Sequence, residues 1–177
     1  GLGDVYKRQY NNRASDDSYD RTSIEYINSK GQLVAKEQYV SDTDRRISYY
    51  VYDEYGRQRF VIPAIMDAQM TVGTRRTPHS LRLYCYYNEY DEEGRIVRQC
   101  MPGADYVLSL YDGRGRLAMT QDGNLRKQNK WLFTKYDIDD RPVMTGIYTG
   151  GTYASHKSAL LSQSSLYEQR GSAVHGY

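Results

Sequence analysis

The stretch YCYYNEYDEEGRIVRQCMPGADYVLSLYDGRGR, residues 84–116, decides how this chain folds. It contains the pattern Tyr-Asp-x-x-Gly-Arg twice, at 90–95 and at 111–116. Asp favours the first position of a type I turn because its carboxylate accepts backbone N–H groups, and Gly favours the fourth position, where φ is often positive. Strand-forming residues flank both copies. Each copy therefore predicts the turn of a β-hairpin, closed with a glycine bulge.

The same signature recurs along the chain. It stands at 52–57 as YDEYGR and, with Asp140 in place of Gly, at 136–141 as YDIDDR; a degenerate copy, INSKGQ at 27–32, keeps only the Asn and Gly spacing. The Tyr-Asp pairs start at 52, 90, 111 and 136, so the intervals are 38, 21 and 25 residues. A unit of this length holds two strands and cannot bury its own face, so the repeat predicts stacked hairpins.

The motif residues are expected to be structural. Tyr offers a large flat apolar body with a polar tip, and Arg can lie over a ring face or pair with the turn carboxylate. The residues assigned to this role are Tyr52, Asp53, Gly56, Arg57, Tyr90, Asp91, Gly94, Arg95, Tyr111, Asp112, Gly115, Arg116, Tyr136, Asp137 and Arg141.

The patterns divide the chain into segments. Strand signals with a frayed start cover 10–62, and repeats resume over 81–153. Between them, 63–80 carries two prolines and a basic pair, which predicts an inserted loop, with 64–70 compatible with a short helix. The segment 154–177 predicts a short helix at His156–Glu168 and then the start of another strand. Residues 10–21 and 125–130 are polar and predict loops.

The first residues, 1–9, read GLGDVYKRQ. The string DVYKRQ resembles one reading frame of the mosaic-end adapter used in transposon-based sequencing libraries. We therefore expect residues 1–9 to be adapter sequence, with the natural protein continuing upstream, and also downstream of Tyr177.

The segments YYVYDEYGRQRFVIP, YNEYDEEGRIVRQCMPGADYVLSLYDGRGRLAMTQDG and NKWLFTKYDIDDRPVMTGIY resemble the YD-repeat, or Rhs-repeat, family of large bacterial surface and secreted proteins. The resemblance covers roughly Thr22–Tyr177 and fits the region just before the central repeats. It implies an all-β fold of stacked hairpins, forming a twisted sheet or an open piece of a spiralling shell, with one short helix near the C-terminus. In the family that shell often encloses a variable C-terminal toxin. Asp140 and the degenerate first copy depart from the pattern and are expected to weaken those turns.

Composition limits the function classes. The chain has 20 Tyr against 2 Phe and 1 Trp, and a mean hydropathy of −0.81, which suits a broad sheet with partly wet faces better than a compact core. Lys and Arg number 24 against 22 Asp and Glu, so no basic face for nucleic acid is indicated. No apolar run approaches the length that spans a bilayer.

Two cysteines, Cys85 and Cys100, flank the 91–94 turn. They either face each other across the hairpin or, with a bulge in the turn, lie as diagonal neighbours. Because disulfide geometry is demanding, two buried thiols are favoured over a disulfide, which stays an alternative.

No motif for catalysis is present. The histidines His79, His156 and His175 are far apart and lack metal-ligand spacing, so neither a metal nor another cofactor is expected. Arg75 and Arg76 fit a solvated loop better than an anion site. The acid pairs stand in predicted turns, where solvated carboxylates are ordinary.

The function expected from these features is a non-catalytic structural segment of a shell around a toxin or effector. Its partners would be adjacent repeats of the same longer chain and the enclosed C-terminal toxin domain. The parent protein would be secreted or lie at the bacterial cell surface. The alternative is a cell-surface carbohydrate-binding module that uses Tyr and Trp faces, with Trp131 as the stacking residue, although Trp131 is expected first to anchor local packing.

Overall fold

The structure is a computed structural model, and it describes residues 6–11, 22–39, 44–64 and 83–168. Hairpin strands account for most of this length. The strands are β1 (Tyr6–Asn11), β2 (Thr22–Ile27), β3 (Leu33–Tyr39), β4 (Arg45–Tyr52), β5 (Gln58–Ile62), β6 (Tyr86–Tyr90), β7 (Ile96–Cys100), β8 (Val107–Tyr111), β9 (Leu117–Gln121), β10 (Lys130–Tyr136) and β11 (Pro142–Thr149). Two helices, α1 (Gly123–Lys127) and α2 (Tyr153–Leu161), precede and follow the hairpin of β10 and β11.

The strands belong to one antiparallel sheet, and their order in the sheet is their order in the chain. The sheet is open, since β1 and β11 stand at the two ends of that order. The all-β fold of consecutive hairpins, with a short helix near the C-terminus, is therefore confirmed.

The predicted bulges are present where the strands enter the turns. The pairing register shifts between Tyr26 and Ile27 and at the equivalent step in the hairpins that end β4, β8 and β10. Such a bulge places one extra residue on one strand and increases the local twist. Gly56, Gly94 and Gly115 have φ values of 82°, 82° and 80°, which is the left-handed conformation that glycine adopts without strain.

The chain divides into two compact units, one of Gly1–Asn88 with Cys100–Ala104 and one of Glu89–Gln99 with Asp105–Tyr177. In the first unit Ile62 and Cys85 are buried against the half-buried rings of Tyr49 and Tyr84. Cys85 and Cys100 are both buried and neither forms a disulfide, so the favoured expectation of two buried thiols is confirmed.

The second unit has the larger apolar core. Leu108, Leu110, Met119 and Trp131 lie on one face of strands β8–β10, and Leu160 of α2 packs against them. The core forms on this face because alternate residues of each strand point the same way, and α2 covers that face.

Three local predictions were wrong. Tyr10 and Asn11 belong to β1, where a loop was expected. Part of the loop expected over 125–130 is helix α1, because the Asp122 side chain accepts the backbone N–H of Leu125 (2.8 Å) and caps the first turn.

The predicted C-terminal helix exists but has different limits. It begins at Tyr153, because Thr152 and Ser155 form a reciprocal capping box, and it ends at Leu161 instead of continuing to Glu168.

Some expectations fall on residues outside the described ranges: the adapter residues 1–5, nearly all of the inserted segment 63–80 with its helix at 64–70, and the last strand start at 169–177. Within the described ranges, no helix has the length and apolar character needed to cross a membrane.

Candidate functional site: the turn motifs and the contacts between repeats

One carboxylate organises each turn. In the copy at 111–116, Oδ1 of Asp112 accepts the backbone N–H groups of Arg114 (2.9 Å) and Arg116 (3.0 Å). Oδ2 accepts the Nε–H of Arg116 at 2.8 Å, and the Gly115 N–H donates to the Asp112 carbonyl at 2.9 Å. Asp112 is buried. Asp112 and Arg116, the second and last residues of the motif, are thus joined by both backbone and side chain, which explains why Asp and Arg occur together.

The other copies repeat this geometry. Asp53 binds the backbone N–H and the Nε–H of Arg57 at 2.9 and 2.8 Å, and Asp91 binds those of Arg95 at 2.8 and 2.7 Å. Tyr90 is the last residue of β6, directly before the Asp91 turn. In both copies the aspartate therefore binds the arginine four residues later through backbone and side chain.

The copy with Asp140 keeps the turn intact. Asp137 binds the backbone N–H and Nε–H of Arg141 at 3.0 and 2.7 Å, and Asp140 itself has a φ of 63°, in place of the expected glycine. The Asp140 carboxylate accepts hydrogen bonds from Arg116 (2.7 Å) and Arg114 (3.1 Å) of the preceding repeat. These ion pairs compensate for the strained backbone, so the expected weakening is offset by contacts that a glycine could not make.

The degenerate first copy uses amides instead of charges. Oδ1 of Asn28 accepts the backbone N–H groups of Lys30 (3.0 Å) and Gln32 (2.9 Å), as the aspartates do. Its Nδ2–H donates to Oε1 of Gln32 at 2.8 Å. Gln32 therefore stands where Arg stands in the other copies, a correspondence that Asn and Gly spacing alone did not reveal.

Consecutive repeats touch through the motif tyrosine. The Arg95 guanidinium lies 4.7 Å from the centre of the Tyr111 ring, and the Tyr111 hydroxyl donates to the Ile96 carbonyl at 2.9 Å. Arg116 and Tyr136 repeat the ring contact at 4.7 Å. We call the contacts among Arg95, Tyr111, Arg116 and Tyr136 the Arg–Tyr ladder. In each pair the arginine guanidinium lies over the tyrosine ring. The tyrosine hydroxyl donates to the carbonyl of the residue that directly follows that arginine.

The first unit contains a neutral version of the same contact. The Tyr52 hydroxyl donates to the Leu33 carbonyl at 3.0 Å, and Leu33 follows Gln32 as Ile96 follows Arg95. Gln32 also donates to the Gly56 carbonyl of the next turn at 3.3 Å. Repeat-to-repeat contact therefore persists where the motif has lost its charges.

The electrostatics follow from this pairing. Burial by itself would raise the pKa of Asp91, but hydrogen bonds from the backbone N–H and the guanidinium of Arg95 outweigh it and hold that pKa below its usual value. The same balance with Arg57 lowers the pKa of Asp53. Burial, assisted by the charge of Asp91, raises the pKa of Tyr111. The carboxylates stay ionised and the phenols stay neutral near pH 7, which is the state that the ladder requires.

Among the residues whose burial the structure describes, one buried acid lies outside the repeat turns. Glu37 of β3 accepts a hydrogen bond from the Tyr26 hydroxyl (2.9 Å) and pairs with Arg45 (3.2 Å). Burial opposes its ionisation, but the hydroxyl bonds and the arginine lower its pKa overall. Sequence reasoning missed Glu37; its register partners Ile24 and Ile47 were the available signal that it faces inward.

The segment after α2 is bound to the sheet. Arg116 donates to the Leu166 carbonyl, the Glu168 N–H donates to the Tyr136 carbonyl at 2.8 Å, and Lys135 pairs with the Glu168 carboxylate at 2.5 Å. We call residues 162–168 the C-terminal strap. Arg116 therefore serves the turn, the ladder and the strap together.

Trp131 anchors packing, as expected. Its side chain is 1% exposed, and its ring meets the His156 ring edge-on with the centroids 5.2 Å apart. Its Nε1–H is buried with no hydrogen-bond partner among the described residues. A sugar must reach the face of a ring to stack on it, so this ring is not available to carbohydrate in this conformation.

No metal-binding cluster is found in the described ranges. Within them no three His, Cys, Asp or Glu side chains are grouped to hold a metal. His79, His175, Arg75 and Arg76 lie outside those ranges, and His156 bonds the Gly150 carbonyl through Nε2 (3.0 Å).

Comparison with known proteins gives a fold but no family. No protein-family model matches the sequence, and no curated protein matches it. The solved structures that resemble it include the Photorhabdus luminescens Tc holotoxin pore, with a TM-score of 0.55 at 17% identity over 81% of this chain and 7% of that one. The fold is of the Rhs type. The TcdB2–TccC3–Cdc42 crystal structure gives a TM-score of 0.57 at 17% identity over 75% of this chain and 6% of that one.

A third structure, TcdB2–TccC3 without its hypervariable C-terminal region, gives a TM-score of 0.56 at 17% identity over 81% of this chain. This chain spans 6–7% of the length of these three toxin chains. The likeness therefore concerns a small part of each of these toxin chains.

Proposed function

We propose that this chain is a non-catalytic structural segment of a YD/Rhs-repeat protein, forming part of a β-shell that encloses or presents a C-terminal toxin or effector. Its partners are the adjacent repeats of the same longer chain and the enclosed domain. The parent protein is secreted or lies at the bacterial cell surface.

The Arg–Tyr ladder carries this proposal. A lone two-stranded hairpin is marginal in water, so repeats of this size depend on their neighbours. Two repeats here offer a cation to the next motif tyrosine and a carbonyl to its hydroxyl, as in Arg95 with Tyr111 and Arg116 with Tyr136. A module whose recurring motif charges bind neighbouring repeats is suited to extending a wall of stacked repeats.

The state of the motif charges supports the same conclusion. General acid–base chemistry needs a titratable group that is free to exchange a proton with a substrate. The side chains of the four motif aspartates are instead each bound to at least two backbone or guanidinium donors of their own turn; these are Asp53, Asp91, Asp112 and Asp137. The fold is similar to that of toxin complexes, and one of these lacks a hypervariable C-terminal region. This similarity supports the proposal of a shell around a variable C-terminal domain.

The first experiment is to resequence the source locus with long reads and without transposon adapters. The proposal expects the reading frame to continue through more Tyr-Asp-x-x-Gly-Arg repeats into a separate C-terminal domain. A frame without further repeats on either side would overturn it.

The second experiment uses the full reading frame as protein. Limited proteolysis should leave the C-terminal domain uncut, and replacing both Arg116 and Tyr136 by Ala should expose it, whereas the exposed-turn change Glu92→Ala should not. A C-terminal domain cut equally fast in all three proteins would contradict enclosure.

A further inference from the structure

A cavity lies between the sheet and the C-terminal elements of the second unit. Its volume is about 350 Å³. Met119 and Phe133 line it from the sheet, Leu160 from α2 and Leu166 from the strap. Sites for small organic ligands have volumes on the order of 300–1,000 Å³ and mostly apolar walls with a few polar groups. The size and lining of this cavity match that description, and the repeat architecture does not need it.

The C-terminal strap forms the outer wall of the cavity, and hydrogen bonds and an ion pair hold it in place. The strap is fixed to the sheet by Arg116 at the Leu166 carbonyl and by Tyr136, whose carbonyl accepts the Glu168 N–H at 2.8 Å. Lys135 adds an ion pair with Glu168 at 2.5 Å. Because the wall is anchored at these points, the space behind it is part of the folded structure and not a gap under a free end.

The charged groups that line the cavity neutralise one another. Asp112 pairs with Arg116 at 2.6 Å, and Lys135 pairs with Glu168. A charged ligand would have to break one of these pairs or enter an apolar space without a partner, which is costly. The cavity therefore favours an uncharged ligand.

His156 supplies the polar group that would orient such a ligand. Its Nε2 lies 3.0 Å from the Gly150 carbonyl, which can only accept, so Nε2 carries the proton and Nδ1 of the uncharged ring is an acceptor. Nδ1 has no partner among the described residues. The ring is fixed edge-on against Trp131 and Tyr148, with centroids 5.2 Å away in both cases.

We propose that this cavity binds a small uncharged aromatic molecule carrying a hydrogen-bond donor, of the phenol class. The aromatic ring would contact Phe133 and Met119, and the hydroxyl would donate to Nδ1 of His156. Aromatic rings and thioether sulfur both interact favourably with an aromatic ligand. This binding activity is a separate proposal from the shell function, although Arg116 and Tyr136 belong both to the ladder and to the contacts that hold the strap.

The test measures binding of p-cresol to the full 177-residue chain by calorimetry and ligand-observed NMR. Toluene is the matched probe without a donor, and 4-methylbenzoate is the charged probe. We expect saturable binding of p-cresol, binding of toluene weaker by roughly threefold to tenfold for one lost hydrogen bond, and no saturable binding of 4-methylbenzoate. Absence of saturable p-cresol binding up to about 10 mM would overturn the proposal, as would benzoate binding of equal strength.

Three variants locate the site. Ala159 lines the cavity from the exposed side of α2, so Ala159→Phe should fill the entrance and weaken p-cresol binding by about tenfold or more. Ala154→Phe is the matched control, since Ala154 is exposed on the same helix and does not line the cavity. His156→Phe should bring p-cresol down to the affinity of toluene. Equal p-cresol binding by the two alanine variants, with unchanged circular dichroism, would refute this location.

Discussion

The guanidinium of Arg116 lies 4.7 Å from the centre of the Tyr136 ring in the next repeat, and the hydroxyl of the same tyrosine donates to the carbonyl of Leu117, 2.8 Å away. One tyrosine is thus held at its face by the preceding arginine and at its tip by the residue after that arginine. Arg95 and Tyr111 show the same relationship. The arrangement gives a physical reason for the chain to use Tyr far more often than Phe at these positions.

The hydroxyl contact predicts a specific loss. Tyr136→Phe should lower the free energy of unfolding by about 1 kcal/mol, because it deletes the hydrogen bond that the Tyr136 hydroxyl donates to the Leu117 carbonyl. Urea unfolding of the two proteins measures the difference. Tyr55→Phe is the control, since Tyr55 is 74% exposed and its change should have no measurable effect. Equal effects of the two changes would show that the ladder hydroxyl contributes nothing specific.

The turn glycines predict a contrast within one turn. Gly115 has a φ of 80°, so Gly115→Ala should cost about 1–2 kcal/mol of stability through left-handed strain. Gly113 lies two residues earlier without a positive φ, and a Cβ there would meet Leu166 at an ordinary 3.4 Å. Gly113→Ala should therefore stay within about 0.5 kcal/mol of the parent. Thermal unfolding of both variants measures the two losses of stability. Similar losses would rule out backbone strain at Gly115 as the cause.

Asp140, which replaces the glycine of the 136–141 turn, predicts an unusual tolerance of substitution. Asp140→Ala should destabilise by about 1–2 kcal/mol, because it keeps the positive φ and loses the ion pairs with Arg114 and Arg116. Asp140→Gly loses the same pairs but relieves the backbone, so it should lie within about 0.5 kcal/mol of the parent. If Gly proves as damaging as Ala in urea unfolding, the ion pairs and not the conformation dominate.

The hairpins could be predicted from the sequence because the turn chemistry is local. Asp112, Gly115 and Arg116 lie within five residues, and each has a role that its own type dictates in any protein. The bulges followed from the same rule. Trp131 could be assigned to packing because its neighbours in sequence alternate in a strand.

The contacts between repeats could not be predicted in the same way. Arg114 and Asp140 are 26 residues apart and belong to consecutive hairpins. Whether their side chains meet depends on the offset between those hairpins, and turn patterns do not encode that offset. Helix α2 begins at Tyr153, before the predicted start at His156, because Ser155 completes a capping box with Thr152. The usual residue at the Ser155 position of such a box is Glu or Gln, so the sequence did not indicate it. The cavity depends on where the strap crosses the sheet, which no local pattern indicates.

Acid sensitivity follows from the turn aspartates. The folded-state pKa of Asp91 lies below its unfolded value, so its contribution is fully present above about pH 4 and is lost as pH falls through the folded-state pKa. Asp91→Asn should cost about 1–2 kcal/mol at pH 7, and this difference should shrink to nothing in strong acid. Urea unfolding of both proteins from pH 7 down to strong acid measures this difference.

Glu92 provides the control for that experiment. It is an exposed carboxylate of the same turn, so Glu92→Gln should leave the pH profile of stability unchanged. A difference between Asp91→Asn and the parent that stays constant from pH 7 into strong acid would mean that shape and not charge fixes the turn.

The amide turn at the first repeat allows the motif to be rebuilt. Asn28 donates through Nδ2 to Oε1 of Gln32, so Asn28→Asp alone turns that contact into two facing acceptors, and Gln32→Arg alone turns it into two facing donors. Each single change should destabilise the first unit, while the double change recreates the pair that Asp53 and Arg57 form at 2.8 Å. The double variant should be at least as stable as the parent, with a coupling free energy of about 1–2 kcal/mol between the two positions.

The control for this cycle is Asn28→Asp combined with Lys30→Arg. Lys30 donates to the Asn28 side chain through its backbone N–H, so Lys30→Arg places a guanidinium in the same turn without the motif geometry and without changing the charge. Additive effects in the cycle of Asn28 and Gln32, or equal rescue by the arginine at position 30, would mean that the degenerate copy is an ordinary turn. A coupling confined to position 32 would instead show that the first copy is a repeat turn in which an amide pair takes the place of the charged pair.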